Sequence, residues 1–260
     1  MSEGKKEILL GDCLELMKDI PNGSIDMILC DLPYGTTACK WDTIIPFEPL
    51  WEQYKRIIKD NGAIVLTASQ PFTSALVMSN VKMFKYEWIY GKNKASNPFL
   101  SKYNPMKIHE NVIVFCKGST IYNPQKEFIG IKDKRKTFTQ KKKFNELYGT
   151  EITTYSHSKD DGTRFPKSII NFNNANTTIQ LHPTQKPVAL FEYLIKTYTN
   201  EGDLVLDNCA GSGTTAIACL KTKRQFIVME KEQKYYDIIL KRVRDFNKNF
   251  EPQTLFGNEM

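Results

Sequence analysis

Two short stretches carry residue types that could do chemistry. The first is Asp31-Leu32-Pro33-Tyr34-Gly35, directly after the apolar run Ile25-Asp26-Met27-Ile28-Leu29-Cys30. An aspartate at the end of a strand offers an acceptor for an amino group, the Leu32 carbonyl offers a second, and Tyr34 offers a flat stacking surface. Taken alone, the tetrapeptide also fits an ordinary proline-containing turn capped by Asp31. The second stretch is Asp207-Asn208-Cys209-Ala210-Gly211-Ser212-Gly213-Thr214-Thr215, between a strand pattern and a helix pattern. Glycines there let backbone approach a ligand, and a helix N-terminus presents free N–H groups. Glu230 closes the next strand pattern and could take both hydroxyls of a ribose; its distance from Gly211 suits a nucleotide-type site. The loop lacks the G-x-x-x-x-G-K-[ST] pattern, which argues against a phosphate-cradling NTPase.

Four motifs together resemble the DNA amino-methyltransferases. Asp31-Leu32-Pro33-Tyr34 resembles their (D/N/S)-P-P-(Y/F/W) motif, with Leu32 in place of the first proline. Asp207 to Gly213 resembles the cofactor loop, His182-Pro183-Thr184-Gln185-Lys186-Pro187 the H-P-T-x-K-P segment before it, and Gly11-Asp12-Cys13 a further cofactor-side motif. The catalytic motif precedes the cofactor loop, the permuted order of the β group. The resemblance spans roughly residues 7 to 245. It implies S-adenosylmethionine as cofactor, double-stranded DNA as substrate and N6 of adenine as the methylated atom. Asp31, Leu32, Pro33 and Tyr34 would be catalytic. Asp12, Cys13, Thr184, Lys186, Asp207, Cys209, Ala210, Gly211, Gly213, Thr214 and Glu230 would bind the cofactor, with Asp12 near its adenine and Thr184 and Lys186 near its methionine carboxylate. No metal is implied. The target base must leave the helical stack, at about a few kcal/mol. A cognate restriction endonuclease and a homodimer are the partners it suggests. Two alternatives stay open: an N4-cytosine enzyme, in which serine more often stands at the position of Asp31, and a non-catalytic DNA-binding protein of the same fold. His109-Glu110 resembles a recurrent pair of the family, and a hydrogen-bonding role is the favoured reading of it.

The elements that must hold these motifs alternate. Strands are expected over 8–10, 25–30, 63–67, 85–90, 111–116, 203–207 and 225–229. Helices are expected over 46–59, 71–80, 187–198, 213–221 and 231–247, with Asn61-Gly62 ending the helix that starts at Pro46. The expected fold is α/β and Rossmann-like: a mixed, mostly parallel sheet covered by helices on both faces. Its catalytic and cofactor parts would be 1–116 and 169–260.

Residues 117–168 break this rhythm and read as a target-recognition insertion. Lys117 to Lys167 carries a net +6 of the chain's +7. Arg135, Lys136, Lys141, Lys142, Lys143 and Arg164 are the DNA-contact candidates. The six cysteines form no C-x-x-C pair, so neither a zinc knuckle nor a redox motif is signalled. With 41% hydrophobic residues and no apolar run near the ~20 residues needed to span a bilayer, a cytoplasmic protein without a membrane partner is expected.

Overall fold

The computed structural model describes residues 5–37, 39, 42–130, 143–145, 150–152, 161–174 and 185–250. It divides into two compact units, Met1–Asn123 with Ser168–Met260, and Pro124–Lys167.

The large unit is built on an eight-stranded sheet. In chain order its strands are β1 (Lys6–Leu10), β2 (Ile25–Asp31), β3 (Ile58–Ala68), β4 (Phe84–Lys92), β5 (His109–Phe115), β10 (Ile169–Phe172), β11 (Leu204–Asp207) and β12 (Gln225–Glu230). Their spatial order is β1-β12-β11-β2-β3-β5-β4-β10. β5 runs antiparallel to both neighbours, and the other pairings are parallel. The helices are α1 (Cys13–Leu16), α2 (Phe47–Ile57), α3 (Phe72–Ser79), α4 (Val188–Tyr198), α5 (Thr214–Thr222) and α6 (Gln233–Phe250). This is a Rossmann-like α/β arrangement, a mixed, mostly parallel sheet with a core on each face.

Near-continuous apolar strands follow from burial on both faces. In β2, Ile28 and Cys30 face one core while Met27 and Leu29 face the other. The same alternation separates Ile64 and Leu66 from Ala63 and Val65 in β3, and Ile227 and Met229 from Phe226 and Val228 in β12. The first core is closed by α2, which buries Leu50, Trp51, Tyr54 and Ile57 at helical spacing. The second is closed chiefly by α4 and α5.

One boundary differs from the expectation. The helix from Pro46 ends at Ile57, and β3 starts at Ile58, so Asn61 and Gly62 lie inside a strand. Ile58 pairs with Ile25 before the register shifts. Gly62 is needed there because a Cβ would lie 2.8 Å from the Asp26 carbonyl oxygen. β10 lies outside the expected strands; it adds a parallel strand beside β4.

The small unit contains two antiparallel ribbons: β6 (Glu127–Phe128) with β9 (Thr163–Arg164), and β7 (Lys143–Asn145) with β8 (Thr150–Ile152). Residues 117–123, expected in the insertion, belong to the large unit, where the Asn123 N–H donates to the Thr197 carbonyl at 2.8 Å. Among the described residues no helix is long and apolar enough to cross a membrane.

Candidate active site

In open α/β sheets, ligands sit beyond the carboxyl ends of the parallel strands. Here β1, β12, β11 and β2 are neighbours and end at Leu10, Glu230, Asp207 and Asp31. The sequence motifs directly follow or form these ends, and a cavity of about 970 Å³ is lined by Asp12, Asp31, Tyr34, Lys186, Gly211 and Glu230 among others.

Asp31 lies at one side of this cavity. Its Oδ1 accepts from the Tyr34 hydroxyl at 2.7 Å and from the Thr67 hydroxyl. The Lys186 ammonium bridges both carboxylate oxygens, at 2.8 Å and 2.7 Å. Burial alone would lower the Lys186 pKa, but the charges of Asp31 and Glu110 raise it well above the usual lysine value. The Tyr34 ring stacks on Phe72, with centroids 5.2 Å apart. Leu32 is buried in the first core, so the residue replacing proline is held by packing. Asp42 accepts backbone N–H groups of Gly35, Thr36 and Thr37 at 2.7–2.9 Å, pinning the turn after the tetrapeptide. Burial opposes ionisation of Asp42, yet the Thr37 hydroxyl and these backbone donors hold its carboxyl below the usual range.

The glycine turn forms the other side. Gly211 has φ +53° and Gly213 has φ +80°, a region open to glycine. The Gly211 N–H donates to Glu230 Oε2 and the Glu232 N–H to Glu230 Oε1, both at 2.8 Å. Burial raises the Glu230 pKa. The Asp207 carboxyl accepts from the Cys209 N–H at 3.0 Å and from the Thr215 hydroxyl, and burial pushes it up to about 6. Thus Asp207 braces the loop from beneath. The Ala210 N–H donates to the Met229 carbonyl at 2.8 Å, tying the turn to β12. Thr214 begins α5 and is buried. Asp12 caps α1 by accepting from the Leu14 N–H at 3.0 Å. The Cys13 thiol is pushed up by its hydrogen bond with Cys209 and by burial, and burial pushes the Cys30 thiol up to about 12. These thiols are neutral packing groups, poor nucleophiles.

The structure therefore brings Asp31, Leu32, Pro33, Tyr34, Asp12, Cys13, Lys186, Asp207, Cys209, Ala210, Gly211, Thr214 and Glu230 around one cavity. Gly213 lies behind it, where a Cβ would come within 2.9 Å of Ile239. Lys186, expected beside a methionine carboxylate, bridges Asp31 and lies beside Glu110, a counter-charge for two partly buried carboxylates. Thr184, Arg135, Lys136, Lys141 and Lys142 lie outside the described residues. Lys143 opens β7 and Arg164 ends β9, where its guanidinium donates to the Thr163 carbonyl at 2.6 Å. Among the described residues no cluster of His, Cys, Asp or Glu could hold a metal.

The sequence singled out Glu110 for a hydrogen-bonding role but passed over other lining residues. Its partner Lys92 donates to it across the β4–β5 hairpin at 2.9 Å. Ser96, Asn97 and Lys107, from the loop joining these strands, reach the cavity rim. The same loop exposes Phe99 by 95% and Tyr103 by 81%. Large aromatic side chains interleaved with Lys94, Lys102 and Lys107 were the available signal.

The N6/N4 methyltransferase family model, described as DNA methylase, matches residues 25–241. The chain belongs to this DNA methylase family. It is 28% identical over 254 residues to the DNA adenine methyltransferase YhdJ of Escherichia coli K12, covering 92% of this chain and 82% of that protein. The Type II methyltransferase M.HpaI of Haemophilus parainfluenzae is 25% identical, over 93% of this chain and 76% of its own. Among solved structures, the M1.HpyAVI–SAM complex superposes with a TM-score of 0.61 at 24% identity, over 91% of this chain and 98% of that chain. The cytosine-N4-specific PvuII DNA methyltransferase gives 0.64 at 14% identity, over 97% of this chain and 88% of that chain.

Proposed function

We propose that the chain transfers the methyl group of S-adenosylmethionine to N6 of adenine in double-stranded DNA, as a β-group enzyme. The observation that carries this reading is the Asp31 carboxylate at a strand end, sharing one cavity with the glycine turn and Glu230. The cofactor fits the residues present. Glu230 spends one lone pair of each oxygen on a backbone N–H, leaving acceptor capacity for a ribose diol. Gly211 presents backbone without a side chain, and Asp12 lines the cavity beside β12. When bound, S-adenosylmethionine supplies an electrophilic methyl group.

The adenine amino nitrogen is a weak nucleophile because its lone pair is delocalised into the ring. Asp31 and the Leu32 carbonyl accept its two hydrogens and draw the nitrogen toward a tetrahedral geometry. Positive charge then develops on nitrogen, where the Asp31 carboxylate stabilises it. Asp42 and the packed Leu32 keep the two acceptors in register without requiring the missing proline. The target base reaches this site only after leaving the stack, and contact with Tyr34 offsets part of that cost, about 1–3 kcal/mol. Asp31, where N4-cytosine enzymes more often carry serine, and the likeness to a DNA adenine methyltransferase favour adenine over cytosine. Mass spectrometry of nucleosides from treated DNA is expected to show N6-methyladenine; N4-methylcytosine alone would refute the assignment.

We place target recognition in the basic small unit and a further DNA contact in the 93–108 loop. Replacing Lys141, Lys142 and Lys143 with glutamine is expected to weaken binding to all DNA sequences. It should also flatten the salt dependence by up to ~0.9 in slope for each phosphate left without its lysine. Phe99→Ala with Tyr103→Ala is expected to weaken binding with the slope preserved, because apolar contacts release no counterions. Equal slopes for wild type and the lysine variant would remove the small unit from phosphate binding. Unchanged affinity in the aromatic variant would remove the loop.

A further inference from the structure

The Asp31 carboxylate is already engaged where an amino group would have to arrive. Lys186 bonds both of its oxygens, and Oδ1 also accepts from Tyr34 and Thr67. A substrate N–H arriving at either oxygen therefore competes with the ammonium for it. A buried ammonium cannot yield that oxygen without another acceptor.

One acceptor stands ready. Glu110, on β5, is the second carboxylate beside Lys186. Its Oε1 is fixed by the Lys92 ammonium at 2.9 Å. Its Oε2 is buried and lies 3.2 Å from Lys186 Nζ, an ion pair whose geometry falls short of a hydrogen bond. Such an oxygen keeps acceptor capacity that a short movement of the ammonium would fill. Burial opposes ionisation of Glu110, yet the Lys186 and Lys92 ammonium groups hold its pKa below the usual value, so it stays an anion.

We propose that Glu110 is a positioning residue for methyl transfer: it draws the Lys186 ammonium off Asp31 as the substrate amino group arrives. Lys186 shields Asp31 when no base is bound and turns toward Glu110 Oε2 when one enters. The shift is short, the ammonium remains paired throughout, and Lys92 keeps Glu110 from following it. The proposal rests on Asp31 being the acceptor for the amino group.

Glu110→Gln removes the receiving charge and nearly preserves shape. Its kcat in steady-state methylation is expected to fall ~10–100-fold, the scale of one hydrogen bond to a charged group. Affinities for S-adenosylmethionine and for duplex DNA should stay within ~2-fold, since neither ligand is held by Glu110 in this account. In a Lys186→Met background nothing shields Asp31, so Glu110→Gln should change kcat by less than ~3-fold, a non-additivity that a purely structural role would not produce. The proposal is overturned by a Glu110→Gln kcat within ~2-fold of wild type, by equal losses in both backgrounds, or by a loss shared with melting temperature and both affinities. A Lys186→Met protein that binds S-adenosylmethionine as wild type does and is still inactive overturns it as well, because unshielded Asp31 is the competent state. Asp31→Ala in the same assay separates the two readings. Turnover in that variant removes the Asp31 assignment itself, whereas an inactive Asp31→Ala with a normal Glu110→Gln removes only the positioning role.

Discussion

Asp31→Ala is expected to lower methyl transfer by at least ~100–1000-fold, the scale seen when one group stabilising a developing charge is removed. The alanine has no acceptor for the amino hydrogen and no charge to stabilise the nitrogen. Cofactor affinity should stay within ~2-fold, because the side-chain bonds of Asp31 go to Tyr34, Thr67 and Lys186 rather than to the glycine turn or Glu230. The fold should survive. Lys186 keeps Glu110 at 3.2 Å as a counter-charge, so the substitution does not strand a lone buried ammonium. Thr67 and Tyr34 lose an acceptor but remain 3.0 Å apart and can bond each other. Single-turnover assays with saturating DNA, run beside calorimetric titration of S-adenosylmethionine, check both halves. Near-normal turnover would remove Asp31 from the chemistry. Lost cofactor binding would mean that the variant had collapsed the cavity.

What could be read from the sequence was local along the chain. Asp31-Leu32-Pro33-Tyr34 and the Asp207–Thr215 turn each place their groups within a few residues, beside apolar runs that become buried strands. Those runs also announced the α/β sheet. Relations across strands were not legible. The pairing of Lys186 with Asp31 depends on β2 being central in the sheet, and the segment before α4 crosses over its end. Lys92 and Glu110 meet because the β4–β5 hairpin sets Tyr90 opposite Glu110, a register that no single-strand pattern specifies. Ile57 and Ile58 fit the end of a helix as well as the start of a strand, which moved that boundary. The short β10, with Asn171 among its four residues, takes its identity from the edge of β4 rather than from its own pattern.

Gly211→Val is expected to give the largest loss of cofactor affinity, at least ~100-fold, and Glu230→Ala a smaller one of ~10–100-fold. At Gly211 two costs add. The backbone has φ +53°, which a β-branched residue adopts only at about 1–2 kcal/mol or more. The added side chain also starts from a residue that lines the cavity, where ligand and backbone must meet. At Glu230 the loss is one charged acceptor, about 1–3 kcal/mol, together with the support it gives Gly211 and Glu232. Gly213→Ala supplies the contrast. Its Cβ would press on Ile239 at 2.9 Å, in the core behind the turn and outside the cavity lining. That variant should lose melting temperature first, with the folded fraction still binding cofactor within ~10-fold of wild type. Calorimetry with S-adenosylmethionine on the three variants, each with its thermal melt, distinguishes these effects. If affinity falls most in Gly213→Ala, the turn acts through packing alone; if it is unchanged in Gly211→Val and Glu230→Ala, the cofactor lies elsewhere.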